Sequence, residues 1–107
     1  MQAGNLSRRL TIEAPGEGYD EAGQPIEGWM PVATVWADIR HTSGLEAIRG
    51  GAETSISRAS IRIRYRNGLH SGMRATSNGV TYRIEAVLPD VGRREYMDLV
   101  CEVVNGY

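Results

Sequence analysis

Between residues 54 and 66 apolar and polar side chains alternate with a period of two. Ala59, Ile61, Ile63 and Tyr65 fall on one side of an extended chain, and Arg58, Ser60, Arg62, Arg64 and Arg66 fall on the other. A strand separates these two sets cleanly, whereas a helix would scatter both around its axis. The spacing predicts a half-buried strand with a guanidinium ladder on its outer face. Like charges at alternate positions repel, so the ladder calls for compensation by acidic neighbours, solvent, phosphate or a partner chain.

The same alternation recurs along the chain. Residues 7–13 place Leu10 and Ile12 opposite Arg9, Thr11 and Glu13, a short first strand. Residues 29–40 set Val35, Ala37 and Ile39 against Trp36, Asp38 and Arg40, with Trp29 and Pro31 at an edge or entry. A brief strand follows Gly72 and Arg74. Asn78-Gly79 is the strongest hairpin signal, because a type I′ turn needs positive φ at both central positions. After it Val80, Tyr82, Ile84 and Ala86 oppose Thr81, Arg83 and Glu85. The last strand, residues 95–104, sets Met97, Leu99, Cys101 and Val103 against Tyr96, Asp98, Val100 and Glu102.

The intervening segments carry turn chemistry. Residues 15–28 hold four glycines and two prolines and read as a flexible acidic loop with a turn at Asp20 to Gly23. Residues 43–49 are the sole helical candidate: Ser43 can cap and Glu46 complete a capping box, and Gly50-Gly51 stops the helix. The expected fold is all-β, a small antiparallel barrel or sandwich of about six strands. One short helix is expected in the connection between strands 2 and 3.

At 107 residues the chain suits one domain spanning 1–107 with a single modest core. No apolar run is long enough for a membrane helix, and the first residues lack a signal-peptide core. The single cysteine excludes an internal disulfide and fits a reducing compartment. Those features lead us to expect a soluble protein of the cytoplasm, without contact to a membrane.

Charge sharpens the picture. The net charge of −1 conceals segregation: residues 13–27 hold five acids and no base, and residues 54–83 hold six arginines and no acid. All 12 basic residues are arginine. A GC-rich genome would account for missing lysine, but not for the segregation. Arginine offers a planar fork to carboxylate or phosphate where lysine is a mobile point charge.

Candidate chemistry is sparse. His41, His70 and Cys101 lack metal-ligand spacing, neither Ser43 nor Ser71 sits in a nucleophile elbow, and Gly16 and Gly18 lie in an acidic stretch that repels phosphate. We expect no enzyme, no metal and no cofactor. The arginine strand remains as a binding feature. Barrel proteins that bind single strands interleave aromatics with basic residues on one face, but Tyr65 falls on the wrong face here. Duplex phosphates, another subunit's acidic loop, or pairing with Asp98, Glu102 and Glu85 on neighbouring strands all stay open.

The ordered set of local motifs is similar to a known family. It begins with Met1-Gln-Ala-Gly-x-Leu-x-x-Arg-Leu-Thr-Ile12, Asp20-Glu-x-Gly-Gln-Pro25, Trp29, Val32-Ala-Thr-Val-Trp-Ala37 and Ser43-Gly-x-Glu46. It continues with Ile61-Arg-Ile-Arg-Tyr-Arg66, Gly72-Met-Arg74, Tyr82-Arg-Ile-Glu-Ala-Val87 and Leu99-Val-Cys-Glu102. Nearly the whole chain thereby resembles the phage head–tail joining, or head-closure (head–tail adaptor), proteins of long-tailed phages.

That resemblance implies a small barrel that forms a homo-oligomeric ring at the portal vertex, retains packaged DNA and offers the tail a docking surface. Its implied partners are itself, portal and adaptor proteins, tail proteins and, non-specifically, double-stranded DNA. Its implied location is the virion connector, after assembly in the bacterial cytoplasm. By position, residues 41–55 correspond to a connection that enters the channel in some relatives, which makes Ser43, Glu46, Arg49, Gly50 and Gly51 the candidate channel loop. A ring needs one surface to meet a different surface on the next copy. Glu17, Asp20 and Glu21 facing Arg58, Arg62, Arg64 and Arg66 would suit such a contact. A small nucleic-acid-binding barrel and a tail-terminator or adaptor protein are the alternatives.

Overall fold

A computed structural model describes residues 6–19, 21–41 and 57–105, and of residues 17–19, 25–27 and 105 the backbone alone. Six strands close into one antiparallel barrel. They are β1 (Arg8–Tyr19), β2 (Pro25–His41), β3 (Arg58–Arg64), β4 (Arg74–Ser77), β5 (Val80–Pro89) and β6 (Tyr96–Asn105). Their order around the wall is β1-β2-β3-β6-β5-β4, closed by β4 pairing back onto β1 through Thr11↔Thr76, Ile12↔Ala75 and Glu13↔Arg74. Closure leaves the barrel wall without the open edges that invite aggregation. The all-β expectation holds. The helix expected at 43–49 lies outside the described residues.

The alternation read from the sequence fills the interior. Leu10 and Ile12 from β1, Ala37 from β2, Ala59, Ile61 and Ile63 from β3, and Ala75 from β4 point inward. Tyr82 and Ile84 from β5 and Met97, Leu99 and Cys101 from β6 complete a buried cluster. Register stacks them in layers, with Ile61 between Ile39 and Leu99, and Ile63 between Ala37 and Met97. Full burial of a side chain of this size stabilises by about 1.5–3 kcal/mol, and trimming Ile61 or Leu99 to alanine costs about 2–5 kcal/mol once the cavity is included.

Two local features depart from simple alternation. In β5 the register slips between Ile84 and Ala86, so that Glu85 is the extra residue of a β-bulge. A bulge reverses the inward phase; Val87, not Ala86, packs against the core. The second departure is larger. Residues 15–28, expected as a flexible loop, continue both flanking strands. Glu13↔Pro31 through Gly16↔Gly28 to Tyr19↔Pro25 pair in register, and only residues 21–24 turn, with Gly23 at φ 79°. Backbone pairing carries this ribbon where side-chain alternation gives no signal. Beyond Glu13 on β1 and before Ala37 on β2, the described residues of the ribbon pair only with each other. It is an arm projecting from the barrel.

Antiparallel order divides the connections between two rims. The arm, the β3–β4 loop (65–73) and the β5–β6 loop (90–95) leave from one. The 42–56 connection and the Asn78-Gly79 turn leave from the other. That turn has φ 50° and 80°, as a type I′ hairpin requires. At the second rim Tyr82 reaches across the barrel, and its hydroxyl lies 3.0 Å from His41 Nε2.

Candidate functional site

The outer face is organised by ion pairs. Arg62 sits in register between Asp38 and Asp98 and donates from Nε to Asp98 Oδ1 at 2.6 Å and from Nη2 to Oδ2 at 2.9 Å. This two-pronged hydrogen bond raises the Arg62 pKa above its ordinary value, outweighing the partial desolvation that opposes it. Arg40 Nε donates to Asp38 at 3.2 Å, and Arg58 donates to Glu85 at 2.7 Å. A second row crosses five strands in register: Glu13, Arg74, Arg83, Glu102 and Arg58. Arg74 and Arg83 are adjacent like charges, yet each has its own carboxylate: Arg74 donates to Glu13 at 2.8 Å, and Arg83 pairs with Glu102. Five arginines (40, 58, 62, 74, 83) thus face five carboxylates (13, 38, 85, 98, 102), a sum of zero.

This answers the question the arginine ladder posed. Of the six arginines in residues 54–83, four are neutralised by neighbouring strands, with Asp98, Glu102 and Glu85 among the partners. Arg64 and Arg66 differ. Arg64 packs 6.0 Å from the Tyr96 ring centre. Arg66 has a buried Nε with no hydrogen-bond partner, while its backbone N–H reaches Met97 Sδ at 3.4 Å. Both lie at the arm's rim.

The acidic partners proposed from the sequence occupy the arm. Glu17 lies in β1, Glu21 is exposed in the turn, and Asp20 lies outside the described residues. The structure therefore brings Arg58, Arg62, Arg64 and Arg66 to one side of the barrel, and the described backbone of Glu17 and Glu21 lies in the arm, away from them. Ser43, Glu46, Arg49, Gly50 and Gly51 also lie outside the described residues. Their flanks, His41 and Ser57, sit at the rim opposite the arm.

Several surface features had no clear sequence signal. Arg74 lies 4.4 Å from the Trp29 ring centre while holding Glu13, and Arg9 lies 4.8 Å from that of Trp36. These cation–π contacts fix two exposed tryptophans on β2. The β5–β6 loop adds Arg93 and Arg94, with Arg94 at φ 55°. A groove of about 380 Å³ beneath it is lined by Arg62, Leu88, Asp90, Arg93 and Tyr96, among others. The adjacent arginine pair in a chain break was the available hint. Cys101 is wholly buried, and desolvation, helped by the nearby negative charge of Glu85, pushes its thiol up to about 12. A thiol so held is inert at neutral pH.

Comparison with known proteins decides the lineage. The family model described as "Phage head completion protein" matches residues 1–104. The chain belongs to the phage head completion protein family. That membership makes it a component of a phage virion. It is 32% identical over 74 residues to head completion protein gp7 of Enterobacteria phage HK97; the match covers 69% of this chain and 66% of that relative, just under two thirds of its length. The fold is similar to the solution structure of protein SF1141 from Shigella flexneri 2a, with a TM-score of 0.72, 30% identity and full coverage of both chains. It also resembles a chain in the virion of a native gene transfer agent particle, with a TM-score of 0.66 and 23% identity over 94% of this chain and 97% of that one. The fold is thus shared with a chain of a gene transfer agent particle and with a bacterial protein alike. The core accounts for the fold, which leaves the outer face of this head completion protein to carry its contacts.

Proposed function

We propose that this head completion protein is a structural connector: a single barrel domain that assembles as a ring at the portal vertex, closes the DNA-filled head and presents the docking surface for the tail. The observation that carries this reading is the family match along residues 1–104. Ring neighbours, portal or adaptor proteins and tail proteins are its partners, and it works by contact, with no reaction catalysed.

The charge pattern takes the paired arginines of the barrel wall out of nucleic-acid binding. Phosphate binding needs arginines whose charge is unmatched. Arg58, Arg62, Arg74 and Arg83 already hold carboxylates at 2.9 Å or closer. The acidic set Glu17, Asp20 and Glu21 and the arginines at positions 64 and 66 are the contact residues of the ring, and residues 43–51 form the loop that faces the channel.

Electron microscopy of particles from the phage or prophage with this gene deleted tests the reading. Tailless heads, many empty of DNA, beside free tails are the expected result. Normal tailed virions would overturn it and direct attention to the arginines as a nucleic-acid surface.

A further inference from the structure

Two surfaces of opposite charge stand on opposite walls of the barrel. In the order β1-β2-β3-β6-β5-β4, the β1–β2 arm is three strands from the β5–β6 loop, the greatest separation six strands allow. Both leave from the same rim.

Their chemistry is complementary. Residues 14–31 contain no basic residue, and Glu17, Glu21 and Glu27 lie among them. The arm also exposes Met30 at 61% and Trp29 at 38%. Across the barrel, Arg93 and Arg94 join Arg64 and Arg66. None of these four makes an ion pair among the described residues. The local carboxylates are Asp90, which already accepts the Gly92 N–H at 3.1 Å, and Glu95. Beside them Val91 is 92% exposed and Leu88 55%, above the groove described above. Arginine with large apolar side chains, set beside a groove, is the composition of a binding hot spot.

We infer that the acidic β1–β2 arm of one copy docks against the β5–β6 loop of a second copy, with its carboxylates facing Arg93 and Arg94 and Met30 covering Val91 and Leu88. Each copy then donates one arm and receives one. Because donor and receiver lie on opposite walls, the contact is heterologous and repeats around a ring. The paired arginines 58, 62, 74 and 83 stay outside it, so the receiving surface differs from the arginine strand first suggested by charge counting. This inference rests on the ring reading proposed above.

Charge exchange in the intact particle provides the test. E17R/E21R and R93E/R94E alter positions outside the core cluster of the described residues, and circular dichroism melts of each purified chain check that the fold survives. Supplied to the gene-deleted phage, each double variant should lower infectious yield by about tenfold or more, as lost charge complementarity at an interface does. The quadruple variant, with arm and loop exchanged together, should recover most of the yield.

In parallel, E21C/V91C particles should give an oxidant-dependent ladder of linked chains, with buried Cys101 a silent thiol. Several copies per particle, no ladder and no recovery would overturn the arm contact and leave the ring intact. One copy per particle would overturn the ring itself, and the arm contact with it.

Discussion

Arg62 grips Asp98 across the β3–β6 pairing with two parallel contacts, Nε to Oδ1 at 2.6 Å and Nη2 to Oδ2 at 2.9 Å. Lysine could supply the charge but not the fork. The side chains keep 43% and 29% of their surface in water, so solvent screens the pair and its worth is modest. Replacing Asp98 by asparagine should cost about 1 kcal/mol, a fall in Tm on the order of 5 °C for a domain of this size. Arg62→Lys should fall between the wild type and D98N, and 1 M salt should shrink both losses. If R62K melts with the wild type, the forked geometry contributes nothing to stability.

Arg74 has a different task, because it joins the arm to the barrel. It donates to Glu13 at 2.8 Å and lies 4.4 Å from the Trp29 ring centre, at the point where β1 leaves β4. Arg74→Ala removes the cation–π contact and strips a partly buried carboxylate of its partner, a loss of about 1–3 kcal/mol. In a W36F background, Trp29 is the only tryptophan. Its emission should shift to the red in R74A, and amides of residues 14–19 should exchange faster with solvent while those of β3 and β6 do not. Uniform acceleration across the barrel would mean that Arg74 stabilises the whole fold and not the arm.

What the sequence made legible follows from where side chains carry the signal. β3 and β6 alternate without a break and their buried faces were readable, although β3 ends at Arg64, so that Tyr65, expected on its apolar face, falls outside the strand and the core. The pairing of arginines with Asp98, Glu102 and Glu85 was one of the alternatives that alternation left open, and strand order decides it. The arm was not legible. Opposed glycines, Gly16 and Gly28, and the prolines carry no period-two pattern, and the ribbon is held by backbone pairing that no side chain announces. The bulge at Glu85 was hidden for a related reason: an extra residue in one strand is defined only by its partner strand, so Ala86 read as inward where Val87 packs on the core. The rim cluster of Arg64, Arg66, Arg93 and Arg94 joins positions almost thirty residues apart and appears only once strand order is known.

Cys101 makes a pH prediction with a definite sign. Its thiol is raised from an ordinary 9.0 to about 12 in the folded barrel, chiefly by desolvation. The folded state therefore holds the proton more tightly than the unfolded state. This contribution is fully present below pH 9 and is lost as pH rises from about 9 towards 12, at up to about 1.4 kcal/mol per pH unit. Urea unfolding of the wild type and of Cys101→Ala at pH 8 and pH 10.5 separates this loss from tyrosine and arginine titration. The variant should be less stable at pH 8, having lost a buried sulfur, and should lose less on going to pH 10.5. The native thiol should also resist Ellman's reagent at pH 8 and react once urea unfolds the chain. Parallel pH dependence in both proteins would mean that the thiol is hydrated in the folded state.

The connection between β2 and β3 is the segment proposed to face the channel. Its flanks are held firmly: Val103 N–H donates to the Ser57 carbonyl at 2.8 Å, and His41 Nε2 lies 3.0 Å from the hydroxyl of buried Tyr82. Both anchors sit at the rim opposite the arm, so the ring contacts and the channel segment, as proposed, belong to different ends of the barrel. A variant shortened within residues 44–52 should keep the barrel, because the described core is built from the six strands outside that segment, and its melting temperature should stay close to that of the wild type. If the segment closes the channel, heads carrying the shortened chain should contain it at normal copy number yet lose packaged DNA, scored as nuclease-sensitive DNA outside the particle. Full DNA retention with normal incorporation would remove the channel role from Ser43, Glu46, Arg49, Gly50 and Gly51. Failure to incorporate would instead place those residues in the contact with the portal side. The two failures are told apart by counting copies per head before asking where the DNA is.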